Sequence, residues 1–162
     1  MDGQISETTI AFELNGAPVR ARANPGNRLS EILREQLGAR DVKIGCNAGD
    51  CGACTVLLDG QTACACLVPA QQAEGARVET LSGLFAAEPL ARRLAEQFEA
   101  HNAAQCGICT PGMMVSAVAL LRAVPAPGED EIKEALAGVL CRCTGYRKII
   151  EAVAGVPGAP AA

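Results

Sequence analysis

Near its start the chain has two segments in which apolar and polar side chains alternate, a pattern typical of strands with one buried face. Residues Thr8 to Leu14 alternate in this way, and so do Ala17 to Ala23 after the dipeptide Asn15-Gly16. Asn-Gly is favoured in two-residue hairpin turns because both positions adopt positive φ. The segment is therefore predicted to form a β-hairpin.

The apolar spacing then changes to that of a helix. From Leu29 to about Leu37 apolar residues recur every three or four positions, with Asn27 or Ser30 as the predicted N-cap and Gly38 as the end. A second predicted hairpin turns at a later Asp-Gly dipeptide. Its strands cover Cys54 to Leu58 and Thr62 to Val68, and Arg77 to Thr80 is predicted as a further strand.

From about Ser82 onward, helical spacing replaces strand alternation. The four helices predicted there cover Pro89 to Ala100, Thr110 to Val124, a segment starting at Glu129, and Tyr146 to Ala154. Thr110, followed by Pro111, and Thr144 are the predicted N-caps. The tail from about Val156 is predicted to be frayed.

These elements predict an α+β chain with two domains. Two hairpins flanking one helix are typical of a small β-grasp sheet, which is expected to occupy residues 1–82. The helices are expected to form a four-helix bundle over residues 83–162.

The composition restricts the classes of function. Of the 162 residues 49% are hydrophobic, enough for a packed core, whereas only 2% are aromatic. The net charge of −4 disfavours nucleic acids and anionic membranes as partners. No apolar run reaches the ~18 residues of a membrane span. The N-terminus lacks the basic region of a signal peptide, so the expected location is the cytoplasm.

The densest group of potential metal ligands lies between the two hairpins. Cys46, Cys51 and Cys54 have C-x4-C-x2-C spacing, which is that of plant-type [2Fe–2S] ferredoxins. Three glycines lie in this loop or next to it, namely Gly45, Gly49 and Gly52, and they would allow positive φ, a close approach to sulfur and inward N–H groups. Cys64 and Cys66 share one face of the predicted return strand, so spacing leaves open which is the fourth ligand.

Zinc, disulfides and simple buried thiols are the alternatives for this loop. Zinc sites more usually combine two separate Cys-x2-Cys or Cys/His pairs. The odd count of nine cysteines and the lack of a signal peptide disfavour disulfides. Buried structural cysteines would not account for the spacing of the glycines.

Four more cysteines occur in the helical half, as the pair Cys106 and Cys109 and the pair Cys141 and Cys143. Each pair comes just before a predicted helix, where free N–H groups and the helix dipole stabilise thiolates. The two turns are therefore predicted to hold one metal centre between them. A four-cysteine zinc site is compatible with the spacing. A thioredoxin-type redox pair is disfavoured because no strand precedes Cys106.

The order of these motifs resembles the iron–sulfur subunit of the xanthine oxidase family of molybdenum hydroxylases. Small subunits of aerobic carbon monoxide dehydrogenase and of 4-hydroxybenzoyl-CoA reductase are similar. The resemblance covers about residues 8 to 155 and rests on the first cysteine loop, on Gln105-Cys106-Gly107-Ile108-Cys109-Thr110-Pro111-Gly112-Met113, and on Cys141-Arg142-Cys143-Thr144-Gly145-Tyr146. It implies a ferredoxin-like domain with one [2Fe–2S] cluster and a helical domain with another.

The resemblance also implies roles for individual residues. The implied ligands are Cys46, Cys51, Cys54 and Cys66 for the first cluster and Cys106, Cys109, Cys141 and Cys143 for the second. Cys64 is then not a ligand. Gln105 and Cys143 are implied to contact molybdopterin. Ile108 departs from the family, where Phe or Tyr is more usual, which affects packing around the second cluster.

By this resemblance the chain would be a non-catalytic, electron-transferring subunit of an oxidoreductase. Electrons would pass from a molybdenum cofactor on a large subunit, through the two clusters, to FAD on a medium subunit of a dimer of heterotrimers. The sequence has no P-loop and no strand–GxGxxG–helix unit, so both partner cofactors are expected on other subunits. The single histidine, His101, is expected to be an exposed helix-end residue.

Two functions of other classes compete with this interpretation. A free-standing electron carrier would need only one cluster. A zinc-stabilised interaction module would be colourless, whereas an iron–sulfur protein is red-brown.

Overall fold

The computed structural model describes residues 7–156, and within them five strands form one mixed sheet. The strands are β1 (Thr8–Leu14), β2 (Ala17–Ala23), β3 (Thr55–Leu58), β4 (Gln61–Cys64) and β5 (Arg77–Glu79). Their order across the sheet is β2-β1-β5-β3-β4. β1 pairs antiparallel with β2 and parallel with β5, and β3 pairs antiparallel with β4 and β5.

Both predicted hairpin turns are confirmed by the backbone angles. Asn15 and Gly16 have φ of 54° and 82°, and Asp59 and Gly60 have φ of 51° and 82°. Positive φ at both central positions matches the right-handed twist of the flanking strands.

The return strand of the second hairpin is shorter than predicted, because β4 ends at Cys64 instead of continuing to Val68. The chain turns there, and the Leu67 N–H donates to the Cys64 carbonyl at 2.8 Å. The prediction that Cys64 and Cys66 share one face of a strand is therefore wrong.

The helices differ from the prediction mainly at their beginnings. They are α1 (Leu29–Glu31), which continues as a π-helical turn (Ile32–Gln36), then α2 (Leu81–Ala87), α3 (Pro89–Ala100), α4 (Thr110–Ala123), α5 (Glu129–Leu136) and α6 (Arg147–Ala154). The N-cap of α1 is Arg28, whose backbone N–H donates to the Glu31 carboxylate at 3.2 Å. Cys109 is the N-cap of α4, one residue before the predicted Thr110.

The described part of the helical half contains five helices, so the prediction of a four-helix bundle is wrong by one. The additional helix is α2, a short element between Thr80 and Glu88. It is separate from α3 because Glu88 is extended and Pro89 occupies the start of the next helix. The coarser expectation of an α+β chain is confirmed.

Among residues 7–156 the buried side chains form two core clusters. One lies between the sheet and α1 and includes Ile10, Phe12 and Leu33. The other is helical, includes Met113 of α4, and extends to Leu57 of β3. The helical half thus packs directly against the sheet, since α4 lies over β3.

An ion-pair network crosses the same junction. The Arg122 guanidinium of α4 contacts the Glu79 carboxylate of β5 at 3.0 Å and that of Glu88 at 2.7 Å. The predicted domain boundary between residues 82 and 83 stays a prediction.

Two other expectations concern single positions. His101 is a half-buried C-cap of α3, instead of fully exposed, and its Nδ1 lies 2.9 Å from the Gln97 carbonyl. Val156 is buried, so the chain is still packed where fraying was expected to begin, and the rest of that tail lies outside the described residues. Among the helices of residues 7–156, none combines the length and the apolarity needed to cross a membrane.

Candidate metal centres

The first cysteine loop directs backbone N–H groups at sulfur. The N–H groups of Ala48 and Cys51 each donate to Cys46 Sγ at 3.3 Å, and the Cys46 N–H donates to Cys51 Sγ at 3.3 Å. The bonds from Ala48 and Cys51 lower the pKa of Cys46 to about 7. A lowered pKa favours the thiolate, which is the form that binds metal. The predicted inward N–H groups are therefore present.

Two glycines of this loop act in different ways. Gly45 does not need a positive φ; a Cβ there would lie 2.8 Å from Cys51 Sγ, so the absence of a side chain admits the sulfur. Gly52 has φ of 65°, and a Cβ there would lie 2.0 Å from the Gly138 carbonyl oxygen. Gly52 therefore brings the loop into contact with the helical half.

The other two cysteines of the first set lie deeper. Cys54 and Cys66 are each only 3% exposed, and their side chains contact each other. Burial raises the pKa of the Cys54 thiol to about 12. Cys64 is half-buried and also lies beside Cys54, so the structure brings a fifth sulfur to the edge of the first set.

The second cysteine set joins two turns that are more than thirty residues apart. Cys106 and Cys143 are exposed, with their Sγ atoms 3.5 Å apart. Cys109 and Cys141 are buried and in contact, and burial raises the pKa of the Cys109 thiol to about 12. The two turns converge as predicted, with Cys109 at the N-terminus of α4.

Two residues that support the second set were not identified from the sequence as neighbours of sulfur. The Thr144 hydroxyl lies 3.1 Å from Cys141 Sγ, and the Thr144 N–H points to the same sulfur at 3.5 Å. The Cys141 N–H donates to the Tyr146 hydroxyl at 2.8 Å. Tyr146 adopts a φ of 67°, which turns the chain back towards Cys141. The sequence indicated Thr144 only as the N-cap of the last helix, and that prediction is wrong, because Tyr146 is the N-cap of α6.

The two sets are connected through the backbone. The Leu140 N–H donates to the Cys51 carbonyl at 2.9 Å, so a residue next to Cys141 is bonded to a cysteine of the first set. Gly112 of α4 lies under the same loop, because a Cβ there would be 2.5 Å from the Gly52 carbonyl oxygen. The small residues on both sides allow the two cysteine sets to approach each other closely.

The arrangement of sulfurs fits binuclear clusters. Within residues 7–156, no three or more of the Cys, His, Asp and Glu side chains converge on a point for one metal ion. Eight of the nine cysteines, all but Cys64, form close pairs instead: Cys46 with Cys51, Cys54 with Cys66, Cys106 with Cys143, and Cys109 with Cys141. Two sulfurs bound to one tetrahedral metal ion, with metal–sulfur distances of ~2.3 Å, lie about 3.8 Å apart. Two pairs per set thus fit the two irons of a [2Fe–2S] cluster.

Two family models match this chain, one over each cysteine set. Residues 12–82 match the 2Fe-2S iron-sulfur cluster binding domain, and residues 80–154 match the [2Fe-2S] binding domain. The fold and sites therefore define an iron–sulfur protein with two [2Fe–2S]-binding domains, which confirms the predicted pair of clusters.

Individual relatives narrow the class. The xanthine dehydrogenase iron-sulfur-binding subunit of Escherichia coli O157:H7 is 45% identical, with 91% of this chain and 94% of the relative covered. The crystal structure of quinoline 2-oxidoreductase from Pseudomonas putida 86 contains a chain that is 44% identical, with a TM-score of 0.87 and coverage of 92% and 91%. This chain belongs to the iron–sulfur subunits of the xanthine oxidase family of molybdenum hydroxylases, as the motifs predicted.

A third relative has a different chain organisation. The aldehyde oxidoreductase from Desulfovibrio desulfuricans ATCC 27774 is 39% identical, with a TM-score of 0.83. The match covers 90% of this chain but only 16% of that one. In that relative the equivalent of this chain is part of a much longer polypeptide.

Proposed function

We propose that this chain is the electron-transfer subunit of a molybdenum hydroxylase and that its eight paired cysteines hold two [2Fe–2S] clusters. Cys46, Cys51, Cys54 and Cys66 would hold the first cluster, and Cys106, Cys109, Cys141 and Cys143 the second. When bound, each cluster supplies a one-electron redox couple. The protein holds the sulfurs, directs N–H groups at them and buries one pair of each set.

The observation that carries the proposal is the hydrogen bond from the Leu140 N–H to the Cys51 carbonyl. The path from Cys51 to Cys141 through this bond runs over a short stretch of backbone atoms. Two redox sites in one chain serve transfer when they are close and held at a fixed separation. The packing of Gly52 against Gly138 supports such a fixed separation.

Electrons would enter at the second set and leave at the first. Gln105, Cys106 and Cys143 are all exposed, so they are accessible to a partner that carries the molybdenum cofactor. By family resemblance Gln105 and Cys143 would contact the pterin. The apolar side chains of Ile108 and Leu140 are exposed near this set, which suits burial against that large subunit.

The first set has an exposed apolar rim of its own. Ile44 and Leu67 are exposed beside the loop that contains Cys46. We assign this rim to the subunit that carries FAD, within a dimer of heterotrimers as the family implies. The long aldehyde oxidoreductase supports the view that this unit works in contact with other parts of a larger enzyme. In this proposal substrate chemistry takes place on the partners, and the cytoplasm is the location, because its reducing conditions keep nine cysteines free of disulfides.

The direct test is metal content and electron paramagnetic resonance (EPR) of the full chain. We expect red-brown protein with about four irons per chain and, after reduction, two separable EPR signals, because the two sets differ in burial and hydrogen bonding. Colourless protein with zinc would contradict the proposal. About two irons and a single signal would limit the chain to one cluster.

A second prediction tests the orientation of the two sites in the complex. Gln105→Ala should slow cluster reduction by substrate and leave reduction by dithionite unchanged, since only the first route passes through the molybdenum cofactor. Stopped-flow absorbance with each reductant measures both rates. Gln61→Ala, an exposed glutamine on β4, is the matched control and should leave both rates unchanged. Equal rates for Gln105→Ala and the parent would remove Gln105 from the electron-entry site.

A further inference from the structure

We infer that Arg28 is a positioning residue for the first [2Fe–2S] site: it orients and polarises one peptide N–H towards Cys46 and thereby sets the reduction potential of that site. The inference rests on the proposed function, because a potential exists only if the cluster is bound there. Arg28 lies outside the cysteine loop, at the N-cap of α1.

The geometry concerns the two ends of one peptide unit. The Arg28 guanidinium donates through Nη1 to the Asn47 carbonyl oxygen. The N–H of the same peptide, which belongs to Ala48, donates to Cys46 Sγ at 3.3 Å. The C=O and N–H of a trans peptide are coplanar and point in opposite directions. Holding the carbonyl with Arg28 therefore directs the N–H at the sulfur.

The loop depends on this outside contact at Asn47. Asn47 has a φ of 54°, in the left-handed region that side-chain-bearing residues seldom adopt. An asparagine often stabilises such a turn by bonding to its own backbone. Here the Asn47 Oδ1 is buried and has no hydrogen-bond partner within the described residues. The side chain of Asn47 thus does not supply that bond through its oxygen, and Arg28 contacts the peptide from outside.

Arg28 itself is held in place from two directions. Its backbone N–H donates to the Glu31 carboxylate at 3.2 Å. Its backbone also pairs with Pro69 in an isolated bridge, three residues beyond Cys66. Arg28 therefore connects the segment that follows the last cysteine of the first set to the loop that contains the first one.

The charge of Arg28 adds to the effect of the hydrogen bond. Arginine stays protonated at all working pH values. Its guanidinium forms no ion pair within residues 7–156, so no carboxylate neutralises it there. A cation that bonds to a carbonyl polarises the peptide and strengthens the hydrogen bond that the N–H at the other end donates. Reduction makes the cluster more negative, so both effects stabilise the reduced form and raise the potential.

The test is an EPR-monitored redox titration of the full chain in its complex, with Arg28→Met, Arg28→Gln and Arg28→Lys. Arg28→Met removes the charge and the donor, and we expect it to lower the equilibrium constant for reducing the first cluster at least tenfold, which is about 59 mV for a one-electron couple. Arg28→Lys keeps the charge and should retain most of the parent potential. Arg28→Gln keeps a donor only and should lie between Arg28→Lys and Arg28→Met.

The controls separate tuning from a structural role. The second EPR signal should keep its potential in every variant, and Arg20→Met, an exposed arginine of β2, should change neither potential. If Arg28→Met kept its full iron content and the first cluster had the same reduction potential as in the parent, the inference would be overturned. Loss of the first cluster from both the Met and Gln variants would also overturn it, because Arg28 would then be needed for assembly. A parent chain without two clusters would instead refute the proposed function.

Discussion

The Cys66→Ala chain is expected to hold about two irons instead of about four and to lose one of its two EPR signals on reduction. Cys66 is 3% exposed and its side chain contacts Cys54, so it completes the buried sulfur pair of the first set. Without it, one iron of the first cluster would keep a single protein ligand. Iron analysis and EPR of the reduced chain measure the loss, and the second signal should remain at full intensity.

Cys64→Ala is the matched control for that substitution. It removes the ninth cysteine from the edge of the same set, and we expect about four irons and both signals to remain. The control is stringent because Cys64 also lies beside Cys54. Loss of the first signal in Cys64→Ala, with retention in Cys66→Ala, would reverse the ligand assignment.

Gly52→Ala is expected to cause the largest loss of stability among single substitutions in the cysteine loop. A Cβ at Gly52 would lie 2.0 Å from the Gly138 carbonyl oxygen and 2.9 Å from Val139 Cα. Both are backbone atoms of the segment that leads to Cys141, so they cannot rotate away as a side chain could. With a φ of 65° added, we expect a loss of about 3–5 kcal/mol in the free energy of unfolding.

Gly75→Ala separates the two causes of that loss. Gly75 has a φ of 72°, but no atom lies within 4 Å of a Cβ placed there. It should therefore show only the backbone cost of a left-handed alanine, about 1–2 kcal/mol. Denaturant unfolding followed by circular dichroism compares both variants with the parent. If the two variants lost the same stability, the contact between the cysteine loop and the helical half would contribute little.

The sequence by itself determined most of the local structure. The dipeptides Asn15-Gly16 and Asp59-Gly60 specify their own φ angles, so both hairpins follow from a few neighbouring residues. The helix α5 begins at Glu129 as its acidic first turn predicts. The spacing of the first cysteine set predicted an iron–sulfur site. For the second set the spacing predicted one metal centre, and the resemblance to the xanthine oxidase family implied that it is a second [2Fe–2S] cluster. The family models bear out that prediction.

The tertiary structure decided which distant residues meet. Cys106 and Cys143 pair across thirty-seven positions, and Leu140 bonds to Cys51 across eighty-nine, separations at which no local pattern acts. β4 ends at Cys64 because the chain turns there, with the Leu67 N–H donating to the Cys64 carbonyl, and the alternation of side chains does not show this turn. Nothing in the sequence indicates that Arg28 contacts the cysteine loop, since a lone basic residue is usually solvated. It contacts the peptide beside Cys46 only because α1 and the bridge to Pro69 hold its backbone there, and contacts of this kind arise from packing of the whole chain.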